Sequence, residues 1–210
     1  MGYIQTRGLL FESICSIFLE KADFSIIDSS QSPNYELDRV KGSYKIKGRG
    51  DWHQIDLPYD YNYKLAMLNP IRIIGEVKFY GGTKKVGLSE MRSFSMACLD
   101  IHQNYIVQDN TRNNIERTLD QALFISANGF SVHAQNFAYA HNVKLIDASK
   151  NSVLAPTLRK IDGLATKLES LISSNEMKRE LISHIQQSLR SNVQSNDLSI
   201  FVSLINDCLW

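Results

Sequence analysis

Cysteine is scarce and scattered: Cys15, Cys98 and Cys208 lie far apart in the 210 residues, each among apolar neighbours. That spacing excludes a disulfide framework and a paired C-x-x-C metal or redox site, and predicts free thiols packed in a core. No run of about 18 apolar residues is present, as a membrane-crossing helix would need, and the first residues show no charged-then-apolar signal pattern. A cytoplasmic protein without a membrane partner is therefore expected. Net charge is equally sparse, at +1, so the whole molecule exerts no long-range pull on nucleic acid, and any such contact must come from local clusters. The chain has no G-x-x-x-x-G-K-[ST], G-x-S-x-G or H-E-x-x-H, which leaves nucleotide hydrolysis, acyl transfer and zinc proteolysis without their usual signatures. The five histidines show no metal-ligand spacing.

With 43% hydrophobic and 21% charged residues, what is present is ordinary globular composition. Leu10, Ile14, Ile17 and Phe18 recur at helical spacing and predict a helix over 7–21, with Glu12 on its polar stripe. Residues 28–43, rich in Ser, Asp and Asn, read as a loop. Strands are expected near 43–48, 53–61 and 71–80, a glycine turn at 81–85, and a helix over 88–103 with Met91, Phe94, Ser95 and Cys98 inward. Tyr105–Val107 and Ala122–Ser126 read as short strands, with a polar stretch at 109–120 that forms a loop or a helix. Asn128–Gly129 favours a turn with positive φ, and Ser131 is placed to cap a helix over 132–141. Strands and helices mixed in this order predict an α/β layer architecture.

From about residue 150 the pattern becomes purely helical. Pro156 is suited to a first turn, and Leu158, Ile161, Leu164, Leu168 and Leu171 form an apolar stripe. A break at Ser173–Asn175 precedes two further amphipathic segments, one with Leu181, Ile185 and Leu189 and one with Ile200, Leu204 and Cys208. The expected organisation is a domain over 1–150 and a helical oligomerisation or partner-docking region over 151–210. Such stripes bury themselves on each other, on the core or on a partner.

The chemistry-bearing stretch is Ile71-Arg72-Ile73-Ile74-Gly75-Glu76-Val77-Lys78. Alternation along a strand puts Glu76 and Lys78 on one face and Val77 on the other. An acid and an amine in an apolar strand are costly to bury unless they pair or hold an ion. Asp56 lies twenty positions upstream on a neighbouring predicted strand, with Asp51 as a rival carboxylate. Magnesium takes oxygen ligands and keeps several waters, so two carboxylates suffice to hold it against a substrate phosphate. Lys84 and Lys85 in the glycine turn, and Arg49 beside Lys45 and Lys47, are candidate phosphate contacts. Trp52 reads as a packed residue, and His53 falls on the face opposite Asp56.

Asp56 followed by Glu76-x-Lys78 resembles the core of the PD-(D/E)xK nuclease superfamily. Three further stretches are similar to its Mrr-like restriction endonuclease branch: Gly8-Leu9-Leu10-Phe11-Glu12, Phe124 through Ser131 around Asn128-Gly129-Phe130, and Ala134 through Asp147. The resemblance spans roughly residues 7–148. It departs in the lead-in to Asp56, Gly48-Arg49-Gly50-Asp51-Trp52-His53, and on the following helix, where Glu90 is the nearby acid.

The resemblance implies a restriction-endonuclease-like mixed central sheet flanked by helices, with the C-terminal helices appended. It implies a magnesium-dependent DNA endonuclease, with manganese as a substitute. Asp56, Glu76 and the Val77 backbone would hold the metal, Lys78 would orient the water, and Glu12 would contribute from the first helix. It further implies double-stranded DNA as substrate, a homodimer or a place in a multi-protein complex, and a role in restriction or antiviral defence. Two other readings stand beside it: a nuclease scaffold kept only for binding DNA or protein, and an RNase on the same scaffold.

Overall fold

The computed structural model describes residues 2–27, 34–38, 43–63, 69–108 and 118–171, together with Ser174, Glu176 and Glu180. Helix α1 (Tyr3–Lys21) starts ahead of its apolar stripe, because Gly2 caps it and the Gln5 side chain accepts from the Gly2 N–H at 3.1 Å. Strands β1 (Phe24–Ile26), β2 (Tyr35–Asp38), β3 (Ser43–Lys47), β4 (Trp52–Ile55), β5 (Leu57–Tyr61) and β6 (Ile71–Lys78) follow. Helix α2 (Leu88–Gln108), strand β7 (Leu119–Ser126), helix α3 (Val132–Ala140), strand β8 (Val143–Asp147) and helix α4 (Leu154–Leu171) complete the described elements.

Five strands form a mixed sheet in the order β1-β5-β6-β7-β8, with β1, β5 and β6 antiparallel to one another in turn and β6, β7 and β8 parallel. Parallel neighbours need crossover connections, and α2 and α3 supply them. Strand β6 is covered on both faces, which is why it reads as a near-continuous apolar run. Ile73 and Val77 pack with Leu10, Phe11, Cys15, Leu154 and Ile161 of α1 and α4. Ile74 packs with Met91, Phe94, Phe124 and Ala134 on the α2–α3 face. The smaller antiparallel sheet, β2-β3-β4, lies on that second face through Ile46 and Ile55. The fold is thus mixed α/β with a central mixed sheet flanked by helices.

Helix α4 docks on α1, where Asp162 meets Arg7 Nε at 2.7 Å and Glu169 accepts from Thr6 at 2.8 Å. Asn151 accepts the Val153 and Leu154 amides at 3.0 Å each and so caps its start. The later amphipathic segments, from Leu181 and from Ile200, lie outside the described residues.

The strand expected over 53–61 is two, β4 and β5, which divide at Asp56 and belong to different sheets. Four further expectations change. The stretch 28–43 contains a strand, since Tyr35–Asp38 pairs with β3; its polar flanks hide a four-residue segment from any local pattern. Tyr105–Val107 is the last part of α2 and not a strand, because a helix already running from Leu88 overrides the β preference of three residues. Of the polar stretch 109–120, Leu119 and Asp120 belong to β7, and 109–117 lie outside the described residues. Trp52 is 37% exposed rather than packed in the core. The Asn128–Gly129 turn has its positive φ, 74° at Gly129, and Ser131 Oγ accepts the Ala134 amide at 3.2 Å.

Candidate active site

Asp56 is the single residue between β4 and β5, fixed by the buried Ile55 and Leu57 on either side. Because Leu57 pairs with Gly75 in antiparallel register, Asp56 arrives beside Glu76. Gly75 makes that approach feasible: a Cβ there would stand 2.7 Å from the Leu57 Cβ. The Val77 N–H donates to Asp56 Oδ2 at 2.9 Å and locks the carboxylate against the strand. The Val77 side chain points away, into the α1-side core.

On the opposite face of β6, the Lys78 ammonium contacts Glu76 Oε1 and stands 3.8 Å from Asp56 Oδ2. Their side chains are 33%, 19% and 14% exposed respectively, so the group is recessed yet open to solvent. Glu12, from α1, adds a third carboxyl within the electrostatic reach of the group.

The cluster is short of positive charge. Burial first, then the field of Asp56, pushes Glu12 up to about 8 despite Lys78. The same two causes raise Glu76 to about 7, again against the pull of Lys78. Asp56 is raised by burial, with Lys78 and the Val77 amide opposing. Burial would lower the Lys78 amine, but Glu76 and Asp56 together raise it and keep it an ammonium. Three acids face one lysine, and the raised carboxyls of Glu12 and Glu76 meet the deficit by holding protons into the neutral range.

A cation brought from solution would relieve that deficit. Among the described residues no three His, Cys, Asp or Glu side chains form a ready-made metal cage. Magnesium does not require one, since one or two carboxylates plus waters and phosphate oxygens complete its shell. Asp56 and Glu76, neighbouring oxygen donors that Lys78 alone does not neutralise, fit that demand.

Other predicted residues sit elsewhere. Asp51 stays exposed and accepts the Trp52 amide at 2.7 Å, in a turn braced by Asp100. The same Asp100 accepts the Gly50 amide and meets His53 Nε2 at 2.7 Å, which accounts for His53. The Arg49 side chain is exposed on this turn. Glu90 caps α2, accepting the Gly87 amide at 3.1 Å, and its carboxyl is held below its usual value by backbone hydrogen bonding. Lys84 lies 3.9 Å from Glu90 and 4.1 Å from the Tyr80 ring centroid, while Lys85 is exposed.

One buried charge belongs to no motif: Arg72 is fully buried and forks onto Asp120 at 2.8 and 2.7 Å. Its only sequence signal is a charge inside an apolar strand. An open groove between α3 and β8, lined by Phe130, Gln135, Tyr139 and Lys144, contains none of the three acids, and its Asp147 is engaged by Ser149 and Lys150.

No protein-family model matches the chain, and no curated protein matches it. Among solved structures it is similar to a protein of unknown function, AF1548, at 16% identity, covering 88% of this chain and all of that one, with a TM-score of 0.44. That likeness is too remote to carry an inference.

Proposed function

We propose that this chain is a divalent-cation-dependent nuclease of the PD-(D/E)xK type. The observation that carries the reading is the convergence of Asp56, Glu76 and Lys78 at the β5–β6 pair, with acid in excess over base. In this reading the central sheet is restriction-endonuclease-like, and its Mrr-like features point to double-stranded DNA. Asp56 and Glu76 would hold magnesium or manganese together with the Val77 backbone. When bound there, the ion would supply Lewis acidity toward the phosphate and a lowered pKa for a water. Lys78 holds its proton, orients the attacking water by donating to it, and offsets charge accumulating on the phosphate oxygens. Glu12 takes or gives up a proton as the charge nearby changes. A cytoplasmic homodimer or complex subunit serving restriction or antiviral defence follows from the resemblance, as cutting both strands calls for two sites and two-fold dimers are the commonest assembly.

Plasmid, single-stranded DNA and RNA incubated with the protein in magnesium, manganese or chelator test this reading beside Lys78→Ala. Cutting that needs the cation and falls at least about a hundredfold in the variant is expected. The RNA arm decides between the sugars, which the metal site alone does not read. Cutting that survives chelator or Lys78→Ala, or the absence of cutting with every substrate, overturns it.

A further inference from the structure

The turn that follows Lys78 is held from outside by one side chain. Asn128 Nδ2 lies 3.1 Å from the Tyr80 carbonyl, 2.9 Å from that of Gly82 and 3.1 Å from that of Lys84. Three acceptors around one amide nitrogen fix which end of the side chain is the donor, and they use both of its hydrogens.

Asn128 is itself anchored to the strand beside Lys78. The Ala127 amide donates to the Lys78 carbonyl at 2.9 Å, and Ser126, the register partner of Lys78, donates through its hydroxyl to the Gly129 carbonyl at 3.0 Å. At the far end, the Val86 amide reaches Gly129 at 3.0 Å and the Ser131 amide reaches Val86 at 2.9 Å. The 80–86 segment is thereby clamped along its length to the β7–α3 turn.

Two lysines ride on that clamped segment, and their surroundings differ. Lys84 is engaged by Glu90 and the Tyr80 ring, and Glu90 also accepts from the Tyr80 hydroxyl at 3.3 Å. Lys85 is exposed and has no ion-pair partner among the described residues. We infer that Asn128 is a positioning residue that fixes the 80–85 turn so that Lys85 contacts a nucleic-acid backbone phosphate, while Lys84 braces the turn internally. The identity of the ligand rests on the nuclease reading; the clamp does not. A cation held by a rigid turn loses less freedom on binding a phosphate than one on a loose loop.

Anisotropy of a labelled DNA duplex and a matching RNA, in chelator across a salt series, tests this with the full chain. The variants are Lys84→Ala, Lys85→Ala, Asn128→Ala and the double Asn128→Ala with Lys85→Ala. Lys85→Ala should weaken binding about three- to tenfold and reduce the salt slope by about one. Asn128→Ala should do the same, and the double variant should be no worse than about tenfold, because Asn128 acts through Lys85. Lys84→Ala should leave the slope unchanged. If Asn128→Ala does not fold, Lys85→Ala decides alone, since that side chain is exposed.

Unchanged affinity and slope in Lys85→Ala, or effects of the two variants that multiply, overturn the inference. Cutting by the wild type with binding unaltered in Asn128→Ala overturns the inference and spares the nuclease reading. Weakened binding in both variants, in a protein that cuts nothing, supports the inference and removes the hydrolytic reading. Absence of any binding at low salt overturns the inference and leaves the nuclease reading to the cutting assay.

Discussion

Strand β6 carries charge at both ends of one face, and the two ends are built in opposite ways. At its start, Arg72 is fully buried and meets Asp120 through two parallel hydrogen bonds, with the Tyr35 hydroxyl accepting from a third guanidinium nitrogen at 2.6 Å and Thr118 donating to Asp120 at 3.1 Å. His102 Nδ1 stands 3.3 Å from the same carboxylate. Acid and base are matched there, and the geometry is the bidentate fork that makes burial of an ion pair tolerable. At its other end, Glu76 and Lys78 are part-exposed, Asp56 joins them, and Glu12 adds a third acid. A balanced, sealed pair holds sheets together; an unbalanced, open one leaves negative charge that a proton or the proposed cation would meet.

Breaking the balanced end should have the largest effect on the fold. Arg72→Ala strands Asp120 in the core and is expected to cost about 3–5 kcal/mol in urea unfolding, whereas Arg72→Met combined with Asp120→Leu should recover most of that loss. Next comes the contact that lets β5 lie close to β6: Gly75→Ala forces a Cβ against Leu57 and should cost about 1–3 kcal/mol. It should also weaken cation binding, because Asp56 moves with β5.

The unbalanced end predicts a change of the opposite sign. Glu12 and Glu76 sit above the ordinary carboxyl value in the folded state, at about 8 and about 7. The native protein therefore binds more protons than the unfolded chain between those values and about 4.5, and its stability falls as pH rises through that window. Glu12→Gln removes the buried charge, so it should stabilise the protein by about 1–2 kcal/mol at pH 8 and hardly at all at pH 5, measured by unfolding at both.

Periodicity made part of this visible in the sequence. An apolar run with alternating exceptions identifies β6 and the shared face of Glu76 and Lys78, and Asn128–Gly129 with Ser131 marks the β7–α3 turn and the start of α3. Asp56 enters by resemblance and by its place on a neighbouring strand, but the Val77 amide that holds it is a backbone contact with no signature in residue type. The Arg72–Asp120 pair is not legible because its members are 48 residues apart and meet through parallel pairing of β6 and β7. Asn128 is equally opaque, since its amide grips carbonyls of a turn more than 40 residues earlier and carbonyls are alike in every residue. Tyr105–Val107 misleads for a related reason: local preference loses to a helix already under way and packed from Met91 to Ile101.

The smallest effect is the most direct probe. Calorimetric titration of manganese into the full chain at pH 7, in two buffers of different ionisation enthalpy and beside Asp56→Asn, asks whether the unbalanced end takes up a cation and gives up protons. The account predicts saturable binding, an apparent enthalpy that changes with the buffer as Glu12 and Glu76 release protons, a stabilisation of about 1.4 kcal/mol at ten times the dissociation constant, and loss of all three in Asp56→Asn. Binding that is absent in the wild type, or that persists unchanged in Asp56→Asn, would contradict it.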